Sequence, residues 1–152
     1  MSAEPEAAMV VDRALNVFER FDPAGLLAVF LYGSVQADRQ REDSDVDIAV
    51  LDLPDAEISW ADQAMIAGEL ERSIGRPVDL RMLRDCPLSL QAHVLREGLL
   101  FWERDGRAVE EYRAAVLDQH ERNRPSRERR WDRMLRTFSE RESSSHERRL
   151  PG

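Results

Sequence analysis

The chain has 152 residues, 42% of them hydrophobic, which is the size of one ordinary domain with material for a real core and too little for a second. Its formal charge of −8 is unevenly spread: residues 1–118 hold 12 Arg against 24 Asp and Glu, whereas residues 119–152 hold 10 Arg against 6. An acidic body of that kind argues against grip on a phosphate backbone, so direct nucleic-acid binding is not expected.

From the N-terminus, Ser2–Glu6 reads as disorder-prone, and Val10, Ala14, Val17, Phe18 and Phe21 then recur at helical spacing over residues 8–21. Asp22-Pro23-Ala24-Gly25 ends that helix. Leu26–Tyr32 is short, bulky and bounded by glycines, the mark of a buried strand. A short helix is expected over Val35–Arg41 and a second strand over Val46–Leu53, before Pro54. Residues 56–74 carry Ile58, Trp60, Met65, Ile66, Leu70 and Ile74 and stop at Gly75, a helix with a glycine end. Trp60 and Trp102 are expected to fill core, as large aromatics usually do.

Pro77–Leu83 is expected as a third strand, Leu88–Glu97 as a helix closing at Gly98, and Leu99–Glu103 as a short strand before a turn at Arg104-Asp105-Gly106. A further helix follows from Ala108 to about Arg122. Pro125-Ser126 opens a last helix whose Trp131, Met134, Leu135 and Phe138 form a narrow apolar stripe on a basic background, and Ser143–Gly152 reads as a disordered end. The interleaving of helices and strands predicts an α/β (α+β) fold, one sheet covered by helices. Residues 1–118 form the expected domain, and residues 119–152 a basic C-terminal helix and tail.

Several function classes drop out. The longest apolar run, Leu26–Tyr32, is far below the ~20 residues of a membrane span, and the acidic N-terminus lacks a signal peptide's basic start, so a cytoplasmic protein is expected. The one cysteine, Cys86, has no partner for a disulfide and no neighbour at zinc spacing; His93, His120 and His146 are scattered. All 22 cationic side chains are arginine. Without a lysine, neither a P-loop nor a protein kinase site is available by its usual route.

The chemistry concentrates in LYGSVQADRQREDSDVDIAVL, residues 31–51. An apolar strand runs into Gly33-Ser34, and after ten intervening residues Asp45 and Asp47 flank one valine at the head of another strand. Alternate strand residues share a face, so both aspartates point one way while Val46, Ile48 and Val50 point into the core. Two converging carboxylates repel one another unless a cation relieves them, and oxygen donors suit Mg²⁺. Gly33 permits a sharp turn and close approach of backbone to phosphate, and Ser34 adds a hydroxyl and an amide at an expected helix N-terminus. In PVDLRML, Asp79 lies on the face opposite Val78 and Leu80. If that strand pairs beside the first pair's strand, Asp79 completes a triad that binds metal and accepts a proton from an attacking hydroxyl. Arg81 shares Asp79's face and either meets triphosphate or pairs with a carboxylate; Arg39 and Arg41, between the motif halves, are further phosphate candidates.

The series GS, ten residues, DxD, then VDL and GLLFWERD resembles the minimal nucleotidyltransferase (MNT) family over about residues 8–118. That resemblance implies a mixed sheet of the polymerase-β nucleotidyltransferase type, nucleotide binding by Gly33 and Ser34, and metal binding and catalysis by Asp45, Asp47 and Asp79. It further implies an antitoxin that transfers AMP from ATP, with Mg²⁺, to a tyrosine of a cognate HEPN-domain ribonuclease toxin, and a homo-oligomer or a hetero-oligomer with that toxin. Many relatives carry glycine four residues after the motif serine, where this chain has Asp38, a negative charge close to the expected triphosphate. Two other functions compete: transfer to a small molecule such as an aminoglycoside, and an inactive module that binds its toxin by occlusion alone.

Overall fold

A computed structural model describes residues 4–33 and 45–147. The chain divides into two compact units, residues 1–117 and 118–152, each taken by itself. Helix α1 (Glu4–Arg20) leads into strand β1 (Leu26–Tyr32), followed by β2 (Val46–Asp52), α2 (Trp60–Ile74), β3 (Val78–Met82), a 3₁₀ turn (Leu83–Asp85), α3 (Leu88–Glu97), β4 (Leu99–Glu103), α4 (Gly106–Arg122) and α5 (Arg124–Glu147). The helix expected over Val35–Arg41 lies outside the described residues.

The four strands form one mixed sheet in the order β3-β2-β1-β4. β1 is antiparallel to both β2 and β4, and β2 is parallel to β3 through the α2 crossover. Because side chains alternate along each strand, the sheet has two apolar faces. Val29, Leu31, Val46, Ile48 and Val50 join Val10, Val17 and Phe18 of α1 and Ile66, Leu70 and Ile74 of α2. On the other face Ala28, Phe30, Ala49 and Leu51 join Ala92, Val94 and Leu95 of α3 and Val109 and Val116 of α4. Helices on both faces explain why β1 is buried along its whole length.

Local chemistry fixes the ends. Residues 56–59, expected as helix, instead form a β-bridge between Leu53 and Ala56 and a cap: the Ser59 hydroxyl accepts from Asp62 N at 3.1 Å. Removing that cap by Ser59→Ala should lower unfolding stability by about 1 kcal/mol, read from urea denaturation. Asp105, expected in a turn, starts α4 two residues early, its Oδ1 accepting from Arg107 N at 3.0 Å and Ala108 N at 3.3 Å. Trp60 is not core: it is 86% exposed, because the buried stripe of α2 runs through Ile66, Leu70 and Ile74 and leaves the first turn overhanging. In the second unit, Trp131, Met134 and Leu135 of α5 are exposed, and the helix extends to Glu147, past the start of the tail expected to be disordered.

Candidate active site

The sheet's own register builds the site. Tyr32 is opposite Asp47 in the β1–β2 ladder, and Asp47 is opposite Asp79 in the parallel β2–β3 ladder. Residues directly opposite in a ladder present side chains to the same face, so Tyr32, Asp47 and Asp79 stand in a row across three strands. Asp45 immediately precedes β2 and is exposed. Arg81, two residues beyond Asp79 on the same face, pairs with it, Nε to Oδ2 at 3.1 Å. Both groups are substantially exposed, so the pair orients Asp79 more than it stabilises the fold. Of the other residues singled out from the sequence, Ser34, Asp38, Arg39 and Arg41 lie outside the described residues.

Gly33 ends β1 with φ +77°, in the left-handed region that side chains disfavour. A Cβ placed there would meet Asp47 Oδ2 at 2.2 Å and Asp47 Cβ at 3.2 Å. The glycine is therefore required twice, by backbone conformation and by the carboxylate lying against it.

Burial holds the Asp47 carboxyl above its ordinary range; the Asp79 charge pushes it further, Arg81 pulls it down, and Asp45 adds a smaller push. The Tyr32 hydroxyl is pushed up to about 12, first by burial and then by the Asp47 charge. Cys86 sits close by, its Sγ donating to Met82 O at 3.4 Å, and burial raises its pKa as well. A thiol held protonated is a poor nucleophile. The place of Tyr32 at the end of the strand entering Gly33 is the one sequence signal of its nearness to Asp47.

Among the described residues, no three His, Cys, Asp or Glu side chains are gathered into a cage that would hold a metal by itself. What the fold supplies is two carboxylates in register, a third at the mouth of β2, and a glycine that clears space against Asp47. Hard oxygen donors, with the Asp47 carboxyl pushed up by burial and by the Asp79 charge, fit a divalent cation with coordination positions left for other oxygens.

The fold is shared with solved structures of known setting. A chain of a toxin-antitoxin structure determined with AMP-PNP superposes with TM-score 0.70 at 22% identity, covering 82% of this chain and 98% of that one. A chain of the complex between tri-AMPylated Shewanella oneidensis HEPN toxin and its MNT antitoxin gives 0.67 at 19% identity, covering 85% and 98%. A structure assigned as a minimal nucleotidyltransferase gives 0.52 at 30% identity, covering 65% and 95%. Among proteins of curated function, none matches significantly. Residues 16–107, more than half of the chain, match the model of the polymerase beta nucleotidyltransferase family, and with the carboxylate pair of β2 and β3 in place this chain belongs to that family.

Proposed function

We propose that this protein transfers AMP from ATP to a tyrosine hydroxyl of a cognate HEPN-domain toxin and silences it. The observation that carries the reading is the in-register pairing of Asp47 with Asp79 beside Gly33. Membership of the nucleotidyltransferase family supports the reaction class. The toxin-antitoxin setting of the structural neighbours, one with AMP-PNP and one with an AMPylated HEPN toxin, supports the donor and the acceptor.

In this reading Asp45, Asp47 and Asp79 hold the divalent cation, which when bound supplies the positive charge that screens the triphosphate. Asp79, on the outer strand, accepts the proton of the acceptor hydroxyl. The oxygen bonds to the α-phosphorus, the bond from that phosphorus to the bridging oxygen breaks, and pyrophosphate leaves with the displaced electron pair. Arg81, at the rim, is released from Asp79 to meet phosphate charge. Gly33 brings backbone against the donor's phosphates, joined by Ser34 and Arg39.

The test is co-expression with a HEPN-domain protein followed by intact-mass measurement. Wild type should add AMP to the partner in multiples of one nucleotidyl unit, in a Mg²⁺-dependent reaction, and Asp79→Ala should reduce the addition at least a hundredfold. Neutralisation of the toxin with no mass increase would replace the enzyme by an occluding binder. Modification of an aminoglycoside without any partner would move the acceptor to a small molecule.

A further inference from the structure

Beside the carboxylates lies a trough of about 770 Å³ that runs along the outer edge of β3. Asp79, Leu80, Arg81 and Met82 of β3 line it together with Trp60 and Pro87. That edge is unpaired among the described residues, since β3 is the terminal strand of the sheet. Val46 N donates to Pro77 O at 2.9 Å, which sets the parallel ladder so that the peptide groups of residues 77, 79 and 81 bond to β2. Those of Val78, Leu80 and Met82 therefore turn outward. The two ends of the edge have partners within the chain: Val78 N donates to Glu71 Oε1 at 3.2 Å, and Met82 O accepts from Cys86 Sγ. Between them, among the described residues, the N–H and C=O of Leu80 face outward.

We infer that the occupant of this trough is an extended segment of the acceptor polypeptide, added to the sheet as a strand against Leu80 and gripped at the rim by Trp60. Three features select a polypeptide. A strand edge offers a donor and an acceptor at the spacing that another main chain matches. Trp60 is 86% exposed at the start of α2, where it adds nothing to the core, and exposed tryptophan beside a groove is the residue type that anchors protein contacts. The trough is also continuous with Asp79, so the segment that binds there carries its side chains to the reacting groups. Alternate side chains of an added strand share Asp79's face, about 4.8 Å from β3.

This inference rests on the protein-acceptor reading, and the experiment separates the two. The full-length Asp45→Ala/Asp47→Ala variant, which binds without transferring, is titrated with purified HEPN-domain protein while amide exchange is followed by NMR. The Leu80 amide should exchange at least tenfold more slowly in the complex, with a shift of the Trp60 indole resonance. In the catalytically intact chain, Trp60→Ala should keep the melting temperature and raise KM for the HEPN protein at least tenfold. Absence of binding, or binding that leaves Leu80 exchange unchanged, overturns the docking. Transfer by wild type with Leu80 unprotected removes the docking and keeps the function; protection of Leu80 without any transfer by wild type keeps the docking and removes the function.

Discussion

Asparagine in place of Asp47 is expected to lower kcat for AMP transfer by on the order of a thousandfold while leaving the protein as stable as wild type, or more so, at neutral pH. Both halves follow from the same environment. Asp47 is placed between Tyr32 and Asp79 across three strands, where its charge is the one proposed to hold a cation and is opposed by the protein around it. A carboxyl whose folded pKa is raised above its ordinary range is better tolerated protonated. Its contribution to stability is fully present below the unfolded value and is lost as pH rises through the folded one. Wild type should therefore melt below Asp47→Asn at pH 7, and the gap should close as pH falls toward about 4. Added Mg²⁺ should raise the melting temperature of wild type and leave the variant nearly unmoved, because ligand binding stabilises only a state that binds it. Scanning fluorimetry across pH, with and without Mg²⁺, reads both effects. Equal response to Mg²⁺ together with full transfer would take Asp47 out of the mechanism.

Gly33→Ala should be the more damaging change to the fold. A methyl group at φ +77° carries the left-handed penalty, and its contact with Asp47 Oδ2 demands that the carboxylate or the strand end move. Together these should cost about 2–3 kcal/mol of unfolding stability. Transfer should fall as well, because the group that must shift is the carboxylate proposed to hold the cation. Chemical denaturation gives the first quantity and nucleotidyl incorporation the second. A variant with wild-type stability would mean that β1 relaxes freely at its end, contrary to its complete burial up to Tyr32.

The strands were legible because their apolar runs are short and punctuated. Leu26–Tyr32 and Leu99–Glu103 occur with the expected bounds, β2 ends one residue early, and β3 is one residue shorter at each end. The period of two also sets Asp47 and Asp79 opposite Val46, Ile48, Val78 and Leu80, which pack on the α1 and α2 side. Strand order was a different matter. That β3 joins β2 in parallel, in register at Asp47 and Asp79, depends on the α2 crossover and on contacts far apart in sequence, for which a local pattern has no signal. The exposure of Trp60 was hidden for a related reason: an apolar residue at a helix start fits the amphipathic pattern whether or not the body reaches far enough to cover it. The glycine at 33 was read as room for phosphate; its nearest neighbour in the structure is a side chain fourteen positions away.

The parallel ladder between β2 and β3 has an evolutionary consequence. Shifting β3 by a single position would turn Asp79 inward and bring Val78 or Leu80 to the reacting side, breaking the hydrophobic layer over α2 in the same stroke. Packing and alignment of the acids are thus one event: a chain that seats Val78 and Leu80 against α2 has already set Asp79 opposite Asp47. Length changes in the short link from Gly75 to Pro77 should accordingly be rare among functional homologues, whereas the surface of α2 is free to vary.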